Sequence, residues 1–240
     1  MKKNTELEAK KNTELSERLP EGRGFEEPTD GEDLIIPRAK LLQALSPEVQ
    51  DDGMLQGLII NSLTKENLPE AFIPIFKFTN WIRFNAAKKT DPGFDPAFEP
   101  KEIIWRSTDP TDQRVIDESG FGPNGELPLA TKFLNFLSYF PDMEMPMPII
   151  LSFSKSSFRA GKELLSLTKY AGGDMFSRQY KLSAIQKENE LGKFFVLKVA
   201  MDGNADEAGY KIAEGLFKDF SPKKADIVVH DETGDKDAEE

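Results

Sequence analysis

The stretch Ala71–Asn85 alternates without a break. Phe72, Pro74, Phe76, Phe78, Asn80, Ile82 and Phe84 fall on one side, and Ile73, Ile75, Lys77, Thr79, Trp81, Arg83 and Asn85 on the other. A period of two sustained over this length is a strand pattern and commits the chain to a sheet. The first side reads as a core face. The second closes on cations interleaved with an indole, and this combination suits a nucleic-acid platform: cations for phosphates, a ring for a stacked base. The same residues also fit a half-exposed Trp covered by Lys and Arg stems.

A second organised stretch runs from Ile149 to Met201. It reads as a strand (Ile149–Phe153), a helix (Lys155–Ala171), a strand (Met175–Ile185) and a strand (Lys193–Met201). Ser154 is placed to cap the helix and Gly172-Gly173 to end it. On that helix Lys155, Arg159, Lys162, Ser166 and Lys169 fall within about 80° of one another, opposite Phe158, Gly161, Leu164, Leu165, Leu167 and Ala171. One face is therefore apolar and the other a basic ridge. From Leu151 to Lys198 there are nine basic and four acidic residues, a local excess of +5 in a chain of net charge −11.

The acidity has a local origin. Residues 1–33 hold six basic and ten acidic side chains, and residues 226–240 hold seven acidic ones and one Lys. We read 1–33 as a frayed or disordered extension, although Asn4-Thr-Glu-Leu and Asn12-Thr-Glu-Leu repeat within it, and 226–240 as a disordered acidic tail. A single folded domain is expected over 34–225. The low pI does not exclude a polyanionic partner, because the two ends create most of it.

Other functions are narrowed by what is missing. The chain has no Cys, and its one His, His230, lies in the acidic tail. Disulfides, Cys- or His-ligated metal and His-dependent catalysis are not expected, and neither is a cofactor. No GxxxxGK[ST] or GxGxxG phosphate loop occurs. No apolar run is long enough to span a membrane, so a cytoplasmic protein is expected.

Gly57–Asn61 reads as a further strand and Asp206–Phe220 as a second amphipathic helix. Lys88–Met147, rich in Pro, Asp and Gly, reads as an insertion with a short strand at Glu102–Ser107 and a helix at Leu129–Phe140. The expected class is α+β. Strand, long strand, insertion, strand, helix, strand, strand is the order of an oligonucleotide-binding (OB) barrel. That is a five-stranded barrel with a helix between strands three and four, followed here by a C-terminal helix. A generic α+β sheet protein is the alternative.

Three segments carry a resemblance. Ile36-Pro-Arg-Ala-Lys-Leu-Leu-Gln-Ala-Leu-Ser-Pro-Glu48, Pro148–Phe153 with the following Ser-Lys-Ser-Ser-Phe-Arg-Ala-Gly-Lys162, and Gly192-Lys-Phe-Phe-Val196 resemble bacteriophage single-stranded DNA-binding proteins across roughly 34–220. Relatives often carry cysteines in the middle insertion, which this chain lacks. The resemblance implies non-sequence-specific binding of single-stranded DNA in phage replication or recombination, with the acidic tail recruiting replication or recombination proteins and competing for the basic cleft. Such tails usually end in an aromatic residue, whereas this one ends Asp237-Ala-Glu-Glu240.

The residues expected to meet DNA are Lys77, Trp81, Arg83, Trp105, Arg106, Lys155, Arg159, Lys162, Arg178, Tyr180, Lys181 and Lys198. Trp81, Trp105 and Tyr180 would stack bases and the cations would neutralise phosphates. No enzymatic activity is expected. A virion or scaffold protein is one alternative. A metal-dependent nuclease using Asp109, Asp112 or Asp117 is another. Oligomeric state is left open.

Overall fold

The computed structural model describes residues 35–190 and 192–222, and the expectations for the N-terminal extension and the acidic tail lie outside them. In chain order the elements are β1 (Ala39–Leu41), α1 (Pro47–Gln50), β2 (Ile59–Asn61), β3 (Ala71–Phe84), β4 (Ile103–Ser107), α2 (Gln113–Glu118), β5 (Ala130–Tyr139), β6 (Ile149–Phe153), α3 (Phe158–Ala171), β7 (Arg178–Asn189), β8 (Gly192–Asn204) and α4 (Glu207–Phe220). Short 3-10 turns at Lys155–Ser157 and Met175–Ser177 lead into α3 and β7. The class is α+β, as the patterning suggests.

The main sheet is antiparallel and runs β6-β5-β3-β7-β8, with β4 also paired to β3; β1 and β2 pair separately. It is not closed, because β6 and β8 are its two ends. The five-stranded barrel expected from the element order is corrected on this point, and the cause is β5. Residues 129–140 carry Phe133, Phe136, Tyr139 and Phe140 at helical spacing, yet they form a strand that inserts between β3 and β6. From Phe133 to Phe140 every residue is buried. A strand covered on both faces loses its polar alternation, so periodicity does not separate it from a buried helix. The region expected to be an insertion thus supplies the strand next to the central one.

A hydrophobic cluster lies on each face of the sheet. On one, Ala160 and Leu164 of α3 meet Phe72, Leu134, Phe136, Phe153, Tyr180 and Val199. On the other, Ala213 of α4 meets Ile73, Ile75, Phe76, Phe78, Leu137, Phe176 and Ile150. Strict alternation would put Phe76 and Phe78 with Phe72. A register shift between Pro74 and Phe76 moves them to the face of Ile73 instead. Lys77, Thr79 and Trp81 consequently change sides relative to Ile73 and Ile75. They now lie on the face that α3 covers, opposite Phe136, Leu134 and Lys132.

Each helix approaches the sheet through a glycine. A Cβ on Gly161 would stand 2.6 Å from the Phe153 Cβ, and one on Gly209 would stand 2.8 Å from the Ile73 Cδ1. Asp206 caps α4 by accepting the Gly209 N–H at 2.7 Å. The α3 cap expected from Ser154 is not made by its side chain; Ser154 instead precedes the 3-10 turn.

Candidate nucleic-acid interface

The Lys-Thr-Trp-Arg-Asn end of β3 was expected to be an open platform. It is covered by α2. Trp81 and Trp105 are 7% and 8% exposed and pack with Val115 and Ala130. Val115 follows from the start of α2, where Asp112 accepts the Arg114 N–H. The same helix ends on Glu118, whose carboxylate accepts from Arg83 Nη1 at 2.6 Å and from the Trp105 indole N–H at 2.9 Å. Lys132 and Arg114 stand over the Trp81 and Trp105 rings at 5.2 and 5.3 Å from the centroids. The physical reason for closure is that two indoles side by side bury more apolar area than a single strand can hide, and the indole N–H requires an acceptor once buried. Base stacking on Trp81 and Trp105 is corrected accordingly, and Arg83 is committed to a carboxylate.

Tyr180, the third expected stacking ring, is fully buried against Phe72, with 6.0 Å between ring centroids. Burial raises its hydroxyl pKa, and the charge of Arg178 opposes that shift. It is a core side chain, so its stacking role is corrected too. Arg178 donates to the Asn204 side chain. Asp202, lowered first by the Gln179 and then by the Lys181 hydrogen bond, holds Lys181 at 3.2 Å.

The remaining cations divide between the two faces. Lys181 and Lys198 sit two register positions apart on the β7–β8 ladder, on the face away from Tyr180, Leu182, Leu197 and Val199. Arg106 lies opposite Ile82, on the face away from Trp105. Lys77, half-buried, shares the α3 side of the sheet. On α3 itself Arg159, Lys162 and Lys169 form the basic ridge that the spacing indicates, whereas Lys155, expected on the helix, precedes it on the 3-10 turn with a φ of 45° and so falls outside its register. Lys155, Arg159, Lys162 and Lys169 are all exposed, while Ala160, Gly161, Leu164 and Thr168 are buried. Arg159 pairs with Glu163 at 2.9 Å while remaining 86% exposed, so the pair is weak and its guanidinium is reachable. Lys162 stands over the Phe158 ring.

The family model of Pam3 phage gp34-like proteins matches residues 3–226. The chain belongs to that family. No curated protein and no solved structure matches it. For this gp34-like protein the match supports a phage origin, and no helix among the described residues is long and apolar enough to cross a membrane.

Two features of this gp34-like chain escape sequence reading. Lys132 joins the α3 face only because Leu129–Phe140 is a strand. Glu118, which decides the fate of both Arg83 and Trp105, follows no motif; its only trace is a short polar helix in a Pro- and Gly-rich region. The turn carboxylates considered for a nuclease have structural partners: Asp109 accepts from Thr111, Asp112 from Arg114, and Asp117 from Gln113.

Glu118→Ala removes the acceptor of one buried indole and one half-buried guanidinium. Its expected cost is about 1.5–3 kcal/mol in urea unfolding, with increased acrylamide quenching of tryptophan emission. Unchanged quenching would show that α2 is not what seals the indoles.

Proposed function

We propose that this protein binds single-stranded DNA without sequence preference, through phosphate contacts on the α3 side of the sheet, in phage DNA replication or recombination. The observation that carries the reading is the exposed ridge Arg159, Lys162 and Lys169, with Lys155 on the turn before it, on a chain of net charge −11. Lys77 and Lys132 lie on the same face of the sheet as Leu134 and Phe136, against which α3 packs. Contact with phosphates needs accessible cations and does not need the buried rings, so affinity here would be mainly electrostatic and strongly salt-dependent. The acidic tail would act as a competitor for the ridge and as the recruiting segment for replication or recombination proteins.

Fluorescence polarisation of labelled oligo-dT across a salt series tests this. Wild-type binding is expected to weaken linearly in log–log form. A Lys155→Gln, Arg159→Gln, Lys162→Gln triple variant is expected to bind more weakly, with a slope shallower by about 2, since each lost contact to a single strand contributes roughly 0.7. All three positions are solvent-facing, so the melting temperature should hold. The reading fails if wild type does not bind at low salt, or if the triple variant keeps the wild-type slope.

A further inference from the structure

With Trp81, Trp105 and Tyr180 in the core, the proposed ridge is left with its cations. Phosphates are common to single strands and duplexes, so cations by themselves do not tell the two apart. A ring does. It stacks on the face of an unpaired base, and in a duplex those faces already lie on one another.

Among the described residues three aromatic rings are exposed: Tyr170 at 87%, Phe121 at 71% and Phe217 at 38%. Phe217 rests on Phe76 and Phe176, with ring centroids 6.3 and 5.7 Å away. Phe121 stands within residues 115–131, which hold Asp117, Glu118 and Glu126 and no Lys or Arg. Tyr170 differs from both. It sits in the last turn of α3 beside the exposed Lys169, and its ring and hydroxyl make no hydrogen bond or ring contact among the described residues.

The helix register puts this ring on the ridge. At 100° per residue Tyr170 falls about 20° from Arg159, about 40° from Ser166 and about 80° from Lys162, but about 180° from Gly161. Gly161 is the residue that brings α3 against Phe153, so position 170 lies on the side away from the sheet. Helical side chains lean toward the N-terminus, over the preceding turn. From position 170 that turn carries Ser166, with Lys162 and Arg159 beyond it. At 1.5 Å per residue the line from Arg159 to Tyr170 is about 16 Å long, a length that a few nucleotides cover at about 3.4 Å each. Glu163, the acidic group on that line, is held by Arg159 at 2.9 Å.

We propose that Tyr170 stacks on an unpaired base beside the phosphate contacts of Arg159 and Lys162, and thereby makes the ridge favour single strands over duplex. This role rests on the single-stranded DNA reading. The charge pattern passes over Tyr170 because it carries no charge and follows the last cation of the run.

Fluorescence polarisation of the full-length protein with labelled oligo-dT and with a labelled duplex of equal length tests it. Tyr170→Ala is expected to weaken oligo-dT binding by about 5- to 150-fold and to leave the salt slope as in wild type, because stacking releases no counterion. Duplex binding should be unchanged. Tyr170→Phe keeps the ring and should keep wild-type affinity. The position is solvent-facing, so the melting temperature should hold in both. Tyr170→Trp places an accessible indole there, and oligo-dT should quench its emission along the same isotherm as the polarisation. Wild-type oligo-dT affinity in Tyr170→Ala would overturn the proposal, as would equal weakening toward oligo-dT and duplex, or emission from Tyr170→Trp that oligo-dT leaves unchanged. Any of these alongside salt-dependent wild-type binding removes Tyr170 and leaves the ridge standing. Wild type that binds no oligo-dT at low salt removes both.

Discussion

Phe136→Ala is expected to destabilise the protein by about 3–5 kcal/mol, measured as a lower urea midpoint with an unchanged slope. Phe136 is fully buried at the middle of β5, edge-on to Phe153 with ring centroids 5.8 Å apart and planes at 84°. It faces α3 within the cluster that includes Leu134, Leu151 and Leu164. Truncation removes the ring and leaves a cavity bounded on one side by a sheet and on the other by a helix. That helix cannot settle closer, because Gly161 already brings its backbone against Phe153. A site that cannot collapse lies at the costly end of such substitutions. A change under 1 kcal/mol would contradict the placement of β5 between β3 and β6.

Glu48→Ala is expected to cost a similar amount, about 3–5 kcal/mol, by a different route. Glu48 is 3% exposed, and its Oε1 accepts from Lys40 at 3.0 Å and from Lys65 at 2.7 Å. The Lys40 side chain is itself only 9% exposed, so deletion leaves a desolvated ammonium facing the space of the lost carboxylate. Burial alone would raise the Glu48 pKa. Hydrogen bonds from Lys65, from its own backbone N–H and from Lys40, with the charge of Lys40, carry it from 4.5 down to about 2. The folded-state value lies below the unfolded one. The stabilisation is therefore complete above about pH 4.5 and is lost as the pH falls through about 2. Wild type should lose stability across that window more steeply than Glu48→Gln in urea titrations at fixed pH. Parallel curves would mean that the carboxylate is not held in its charged form by the two lysines.

These two residues also separate what is readable in one dimension from what is not. The α3 ridge is legible because a helix places residues three and four apart on one face whatever it packs against. The cap at Asp206, the β7–β8 ladder and the strand character of β3 follow from equally local rules. Glu48 shows none of this: it is an ordinary acidic residue after Ser46-Pro47, and its burial depends on Lys65, which a turn brings back beside it. Trp81 and Arg83 look like an interface because their strand neighbours are polar, but α2 lies thirty residues along the chain.

The amino-acid order alone determines the α+β class, the basic face of α3, the acidic excess at both ends and the absence of cysteine chemistry. Each of these is a property of composition or of a period shorter than one element. Only the tertiary structure decides that the sheet stays open and that Phe76 and Phe78 turn to the α4 side. It likewise decides that the indoles are sealed. Those outcomes depend on which strand pairs with which and on a single register shift. Both are settled by the burial of side chains far apart in sequence, and no local pattern carries that information.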